Sequence, residues 1–519
     1  MNLLKNKIEN TSYVPIIALS LIAVIGLALR LLFFKTELLI RQDAISYLWF
    51  ANDLVFLKHF PEIPLANIGW PLLLSIFFSV FHFDNFSDYS TLQQTISMIV
   101  SVLTVFPMYF LCRRFFSRSF SLIGASLLIL EPHLILNSLR GLIEPWYIFL
   151  LVSSFALFLS SNKKFQYAAF AIATFSMIVR AEGSIIFLVF SIMFLKQHYK
   201  EGKKILLKIM FVGVIFLIIF VPISELKNQS SGTDGTADRI VSMSINSSND
   251  DSFFQFANWV NALETLGKRL LQSMIPYFAL FVPFGMILLF KERNQNRVTI
   301  ILFMAIYLIA MLRVFTITSD IRLLFGLYPM FCILSVFSIK QLCDSSDYKN
   351  IFLILTVCGV LVLSWFFIFN NTEIEREIEV MQFSEYISDK VTASNNFFPE
   401  SGYVYGAWAS SNIQFPTLSS SVEYTGPELH VYQKDTVILL EDGADSIQEY
   451  IKLTRELGVT HLIVDNNNYN RAEFFTDLYY NEENYPYLIK EFDSFADGYK
   501  YYHVKVFKIN FEKFDLANS

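Results

Sequence analysis

What most constrains this chain is a series of long apolar runs divided by short charged loops. A helix needs roughly 20 apolar residues to cross a bilayer. Eleven stretches approach that length, near 14–34, 91–111, 119–136, 143–160, 165–180, 183–196, 205–223, 270–290, 298–316, 321–340 and 349–369. The two on either side of Arg180 are short and almost contiguous. Trp70 to Phe83 is shorter still and reads as a helix lying along the membrane interface, set off by Gly69 and Pro71. The apolar residues fall in runs rather than alternations, and a hydrophobic share of 54% with a mean hydropathy of +0.46 exceeds what soluble domains reach. The expected fold is a membrane all-α bundle of about 11 transmembrane helices over residues 1–370, followed by a soluble α/β domain over 371–519.

A net charge of −6 offers no basic face for nucleic acid. Cys112, Cys332, Cys343 and Cys358 lie in or beside apolar runs, with no CxxC pair or Cys/His cluster to suggest zinc. The first run lacks a small-residue cleavage site and reads as a signal anchor.

Loop charges set an expected orientation. With the N-terminus and its Lys5 and Lys7 in the cytoplasm, every inner loop is basic: Arg113-Arg114 with Arg118, Lys163-Lys164, Lys196 to Lys204, Lys291 to Arg297, and Lys340 to Lys349. The opposite loops are acidic or sparsely charged. This places Asp43, the Arg180 hairpin, the 224–268 loop, the Asp320/Arg322 turn and everything after residue 370 on the outer face. Asn-x-Ser/Thr triplets at Asn85, Asn228, Asn246 and Asn370 fall on that face, as chance could also arrange. Asn228 to Ser252 has turn-former composition and reads as a flexible outer loop that orders on ligand binding.

In the outer domain, Thr372 to Ser388 reads as helical, and Gly402 to Trp408, Thr436 to Leu440, His461 to Asp465 and Tyr501 to Ile509 as strands. Ser446 to Leu457 is an amphipathic helix with Ser446 as N-cap and Gly458 as C-cap. Helix, glycine, then a buried strand is the cadence of a small α/β layer.

Charges beside membrane spans are costly, so they mark function by default. On the outer side they are Arg41, Asp43, Asp53, Glu131, Arg140, Glu144, Arg180, Glu182, Asp320 and Arg322, with His133 near by. Arginine offers permanently charged, two-pronged contacts to phosphate oxygens, and a carboxylate close to hydrocarbon can serve as a general base. Each residue also has a structural alternative. Asp43 and Asp53 could be caps, Arg180 and Glu182 a turn ion pair, Arg322 a snorkelling cation, Glu144-Pro145 a helix start, and His133 an exposed or structural residue.

Taken together and in order, the blocks resemble the GT-C superfamily of polytopic glycosyltransferases, the protein O-mannosyltransferase and aminoarabinose-transferase (family 39-like) group above all. The resemblance lies in Arg41-Gln-Asp43-Ala-Ile-Ser-Tyr47-Leu-Trp-Phe-Ala51, Gly69-Trp-Pro-Leu-Leu-Leu, Leu142-Ile-Glu144-Pro145, Arg180-Ala-Glu182-Gly183 and Arg322-Leu-Leu-Phe-Gly-Leu-Tyr-Pro329. It departs in two places: the acidic pair of the first block is Asp43-Ala44, and the hairpin's proline is Ala181. A Trp-Trp-Asp-Tyr-Gly block is missing, which speaks against the oligosaccharyltransferase branch.

The resemblance implies a sugar donor on a polyprenyl or dolichyl phosphate, held from the bilayer, and a protein, lipid or glycan acceptor. Asp43 would be the base, and Arg180, Arg322 and, less directly, Arg140 would bind phosphate. Glu144 and Glu182 would orient the arginines or meet sugar hydroxyls, and Asp53 and Tyr47 would line the site. A divalent metal ion is optional, since one lone acidic residue makes a poor cage. Two other classes fit the bare residues: a transporter or flippase of polyprenyl-linked lipids, disfavoured by the lack of inverted repeats and broken helices, and a membrane-anchored binding or sensing protein.

Overall fold

In the computed structural model the chain is mostly helical, with a small sheet near the C-terminus. The structure describes residues 13–35, 40, 43–56, 58, 65, 67–83, 85–231, 256–292, 294–316, 318–344, 348–371, 374–392, 405–408, 437–440, 444, 446–456, 459–466 and 473–517. Arg41, Gln42, Gly458, the strand start at 402–404 and most of the expected outer loop (232–255) lie outside the described residues. The chain divides into two compact units: residues 1–34, 43–81 and 90–371 form one, and 35–42, 82–89 and 372–519 the other.

The first unit is helical throughout. Its elements are α1 (Tyr13–Phe33), α2 (Asp43–Phe56), α3 (Gly69–Phe78), α4 (Phe86–Leu103, begun in the second unit), α5 (Val105–Cys112), α6 (Arg118–Ile129), α7 (Pro132–Leu139), α8 (Glu144–Phe158), α9 (Phe165–Val179) and α10 (Gly183–His198). There follow α11 (Lys204–Ser231), α12 (Phe256–Ser273), α13 (Phe278–Phe290), α14 (Gln295–Val314), a 3-10 turn (Ile321–Leu327), α15 (Tyr328–Asp344) and α16 (Lys349–Asn371).

Each apolar run expected to span is met by helix, but length and composition qualify fewer. Among the described residues six helices are long and apolar enough to cross a membrane, or up to eight if each sharply bent pair counts as one span. This is a multi-pass membrane protein. The bent pairs correct the expectation of unbroken helices: α6 and α7 meet at 49°, and α12 and α13 at 109°. Pro132 explains the first break, because proline starts a helix readily and cannot continue one. The expected run 270–290 is therefore the end of an amphipathic helix, a corner, and a separate apolar helix.

One buried charge escaped the sequence reading. Arg30, on α1, has no solvent exposure. Its guanidinium donates to Ser101 Oγ (2.6 Å), Ser138 Oγ (3.2 Å) and the carbonyls of Gly26 (2.9 Å) and Ile129 (3.1 Å). A cation inside an apolar bundle persists when its donors are met in this way.

The second unit holds a five-stranded sheet of β1 (Tyr405–Trp408), β2 (Val437–Leu440), β3 (His461–Asp465), β4 (Leu488–Asp493) and β5 (Val504–Ile509) in the order β2-β1-β3-β5-β4. β1 runs parallel to β2 and β3, whereas β5 pairs antiparallel with β3 and β4. Its helices are α17 (Ile374–Thr392), α18 (Ile447–Glu456), α19 (Glu473–Tyr480) and α20 (Phe511–Ala517). All of β3 is buried, as befits a strand covered on both faces. Leu462 and Val464 pack with Ile447, Ile451 and Phe475, and Ile463 packs with Phe383 and Ile387 of α17. Successive side chains thus enter opposite cores. Ser446 accepts from the Glu449 N–H at 3.2 Å, the capping role expected of it. β4 was not foreseen, because its pattern is buried only at its ends and carries a bulge between Lys490 and Phe492.

Candidate active site

Six of the charges singled out in the sequence meet in the first unit, at or near the ends of helices. Asp43 opens α2 and Glu144 opens α8, Arg180 ends α9, Glu182 directly precedes α10, and Asp320 caps the 3-10 turn that carries Arg322. Four helical N-termini thus carry carboxylates, where the helix dipole favours negative charge.

Two arginines join these carboxylates into one chain of contacts. Arg180 Nη1 donates to Glu144 Oε1 at 2.6 Å, and its Nη2 and Nε donate to Glu182 Oε1 at 2.9 and 3.2 Å. Arg322 Nη1 donates to Asp43 Oδ2 at 2.9 Å and lies 4.0 Å from Glu144 Oε1. Its backbone N–H and Nε donate to the two oxygens of Asp320 at 2.9 and 2.8 Å. Burial grades along the chain: the Glu144 side chain is 2% exposed, Arg180 and Glu182 10%, Arg322 29% and Asp43 49%. The buried end is a held scaffold and the Asp43 end is open. The Arg180–Glu182 turn pair allowed for in the sequence exists, but it is part of this larger set.

Local packing explains the placement. Gly183 begins α10 so close to the end of α9 that a Cβ there would lie 2.5 Å from the Met177 nitrogen. Only glycine permits this turn, which the Gly183 N–H closes by donating to the Arg180 carbonyl at 2.9 Å. Gly69 of α3 lies equally close to Val179, where a Cβ would meet the Val179 backbone at 2.8 Å. α3 thereby abuts the residue before Arg180. Gln93, fully buried on α4, donates through Nε2 to the carbonyls of Ala44 and Gly141, both at 2.9 Å. One amide thus ties the starts of α2 and α8, and Trp70 Nε1 adds a 3.2 Å contact to the Gly141 carbonyl.

Phenols complete the surroundings. Tyr47 is 4% exposed on α2 and lies within the field of Asp43, Glu144, Arg180 and Arg322. The Arg180 guanidinium carbon stands 5.9 Å from the Tyr147 ring centroid. Tyr307 of α14 donates to the Leu323 carbonyl at 2.6 Å and so braces the 3-10 turn. Tyr147, Tyr307, Gln93 and Asp320 had not been singled out as site residues; of these, only Asp320 carried a signal, as a charge next to a span. Asp53 is buried ten residues along α2, about 15 Å from Asp43 by helical rise. Arg140 is an exposed residue at the C-terminal end of α7. Glu131 and His133 pair with each other at 2.8 Å at the α6–α7 break.

The optional divalent ion does not fit these donors. Each of the four carboxylates is engaged by an arginine, and among the described residues no group of three or more His, Cys, Asp or Glu side chains could hold a metal.

No known family profile matches the sequence, and no curated protein does. Solved structures do match. The oligosaccharyltransferase AglB from Archaeoglobus fulgidus, in complex with an inhibitory peptide and a dolichol-phosphate, superposes with a TM-score of 0.56 at 14% identity, over 87% of this chain and 69% of that one. ArnT from Cupriavidus metallidurans, bound to undecaprenyl phosphate, superposes with a TM-score of 0.59 at 10% identity, over 96% of this chain and 98% of that one. The apo form of ArnT gives 0.54 at 9% identity over 94% and 97%. The missing Trp-Trp-Asp-Tyr-Gly block therefore does not separate this chain from the oligosaccharyltransferase at the level of fold. At these identities the likeness is one of fold, and this chain has the fold of AglB and ArnT.

Proposed function

We propose that this protein transfers a sugar from a polyprenyl-phosphate donor to an acceptor hydroxyl, with inversion at the anomeric carbon. The observation that carries the reading is the chain of contacts in which two arginines and three further carboxylates lead to the half-exposed Asp43, which Arg322 touches. Dolichol-phosphate and undecaprenyl phosphate on the two fold neighbours support a lipid-phosphate donor.

Asp43 accepts the acceptor's hydroxyl proton as that oxygen attacks the anomeric carbon. The carbon–oxygen bond to phosphate breaks on the opposite side, and its electron pair stays on the phosphate. This is a single displacement, and it requires base and leaving group to flank the sugar. Arg322 and Arg180 stabilise the leaving phosphate, a role worth several kcal/mol where water is excluded. Glu144, Glu182 and Asp320 hold those arginines before substrate arrives, so little reorganisation is needed during reaction. By the loop charges the N-terminus is cytoplasmic, and the site and the 371–519 domain face outward at the cell membrane.

The test is sugar release from a panel of radiolabelled polyprenyl-phosphate sugars by purified protein in detergent, wild type against Asp43→Asn. Transfer or hydrolysis by wild type that disappears in the variant while donor binding persists supports both the reaction and the base. Equal activity in the two removes Asp43 from its role. Binding without turnover across the panel points to a flippase.

A further inference from the structure

Arg322 serves two masters in this geometry. Asp320 takes its backbone N–H and Nε, and also Nη2 at 2.8 Å, so one edge of the guanidinium is locked to the residue that caps its own turn. Only Nη1 reaches away, to Asp43 Oδ2 at 2.9 Å, with Glu144 Oε1 at 4.0 Å behind it. The Asp43 contact is the open one: Asp43 is 49% exposed, whereas Glu144 is sealed at 2%. An ion pair so exposed is weak and is readily exchanged for a better anion. A phosphate oxygen is such an anion for arginine.

Resting on the donor-site reading above, we propose that Arg322 is handed from Asp43 to the donor's phosphate, with Asp320 as the positioning residue that keeps the guanidinium in place during the exchange. Before donor binds, a lone pair of the base is committed to a guanidinium proton. Phosphate takes over Nη1 and leaves both Asp43 oxygens open to the acceptor hydroxyl. The donor therefore binds first, and the base becomes free only once there is something to transfer.

The handover predicts opposite signs for two neutralised carboxylates on the same arginine. The experiment is equilibrium binding of undecaprenyl phosphate, with the matching polyprenol as control, to full-length protein in lipid nanodiscs. Asp43→Asn removes the competitor and tightens binding by about two- to fivefold, the range expected for releasing an exposed ion pair. Asp320→Asn loosens the anchor and weakens binding. In an Arg322→Gln background, Asp43→Asn gains nothing. If both asparagine variants tighten binding, or if Asp43→Asn still tightens it without Arg322, the carboxylates merely repel phosphate through space and the handover is overturned. Weaker binding by Asp43→Asn overturns it as well. A wild type that does not prefer phosphate over alcohol overturns the donor reading, and the handover falls with it. Should Asp320→Asn fail to fold, the sign for Asp43→Asn and its dependence on Arg322 decide alone.

Discussion

Glu144 has almost no solvent contact, yet its carboxylate stands against one arginine and within reach of another. Removing it leaves Arg180 buried with Glu182 alone, and breaking a buried ion pair from one side costs about 3 kcal/mol or more. Glu144→Ala should lower the thermal unfolding midpoint clearly, and Glu144→Gln, which keeps an acceptor, should lower it less; unfolding in one detergent under matched lipid decides. Gln93 offers a second test. Gln93→Leu removes a buried donor from the Ala44 carbonyl and leaves the Gly141 carbonyl with Trp70 alone, at a cost of about 1–3 kcal/mol, and lets the starts of α2 and α8 drift apart. Since an ångström of misplacement can cost about 100-fold in rate, turnover should fall by tenfold or more while donor binding changes little. The charges of the site were legible because few residues can be charged beside a membrane. Gln93, Tyr147 and Tyr307 were not, because a glutamine or tyrosine inside an apolar helix carries no mark of the distant carbonyl or guanidinium it will meet. Arg30 shows the converse: it is charged, deeply placed and engaged by hydroxyls and carbonyls of the bundle.

Elements matter here through how closely they approach. Gly183 lets α10 begin against the backbone of α9, so Gly183→Ala must push the hairpin open and move Arg180. Overpacking of this kind costs about 1–3 kcal/mol; the variant should lose donor affinity and turnover together, as measured by lipid-phosphate binding and product formation. Helix positions were readable from apolar runs, but bends were not. A sequence window sees 270–290 as one stretch, whereas the chain turns through 109° between Ser273 and Phe278 and sends an amphipathic helix off at a wide angle. In the second unit β3 was evident from its unbroken apolar run, while β4 was masked by three exposed positions in a row.

At the scale of the whole molecule, the second unit should respond to acid. There Glu482 receives Lys490 at 2.7 Å and Lys505 at 3.1 Å, linking the segment after α19 to β4 and β5. Burial alone would raise its pKa, but hydrogen bonds from the two lysines hold it below the usual 4.5. Its stabilising effect is therefore complete above that ordinary value and is lost as pH falls through the lower folded one. Amide protection factors in β4 and β5, corrected for intrinsic exchange, should fall as the pH drops below 4.5, and Glu482→Gln should remove that part of the acid response while weakening the sheet at neutral pH. The membrane unit was legible as a class from its apolar runs, but the partition of 35–42 and 82–89 into the second unit was not.

The helix α11 presents Leu206, Leu207, Met210, Leu217, Ile218 and Val221 outward, and only 6% of its apolar stretch is buried within the protein. Most of what surrounds it must therefore be hydrocarbon supplied by the bilayer. For this helix the membrane is a packing partner, and stripping annular lipid is a mutation in all but name. Extraction conditions thus belong among the experimental variables, and activity lost in a harsh detergent should return when lipid is restored, with no change in the chain.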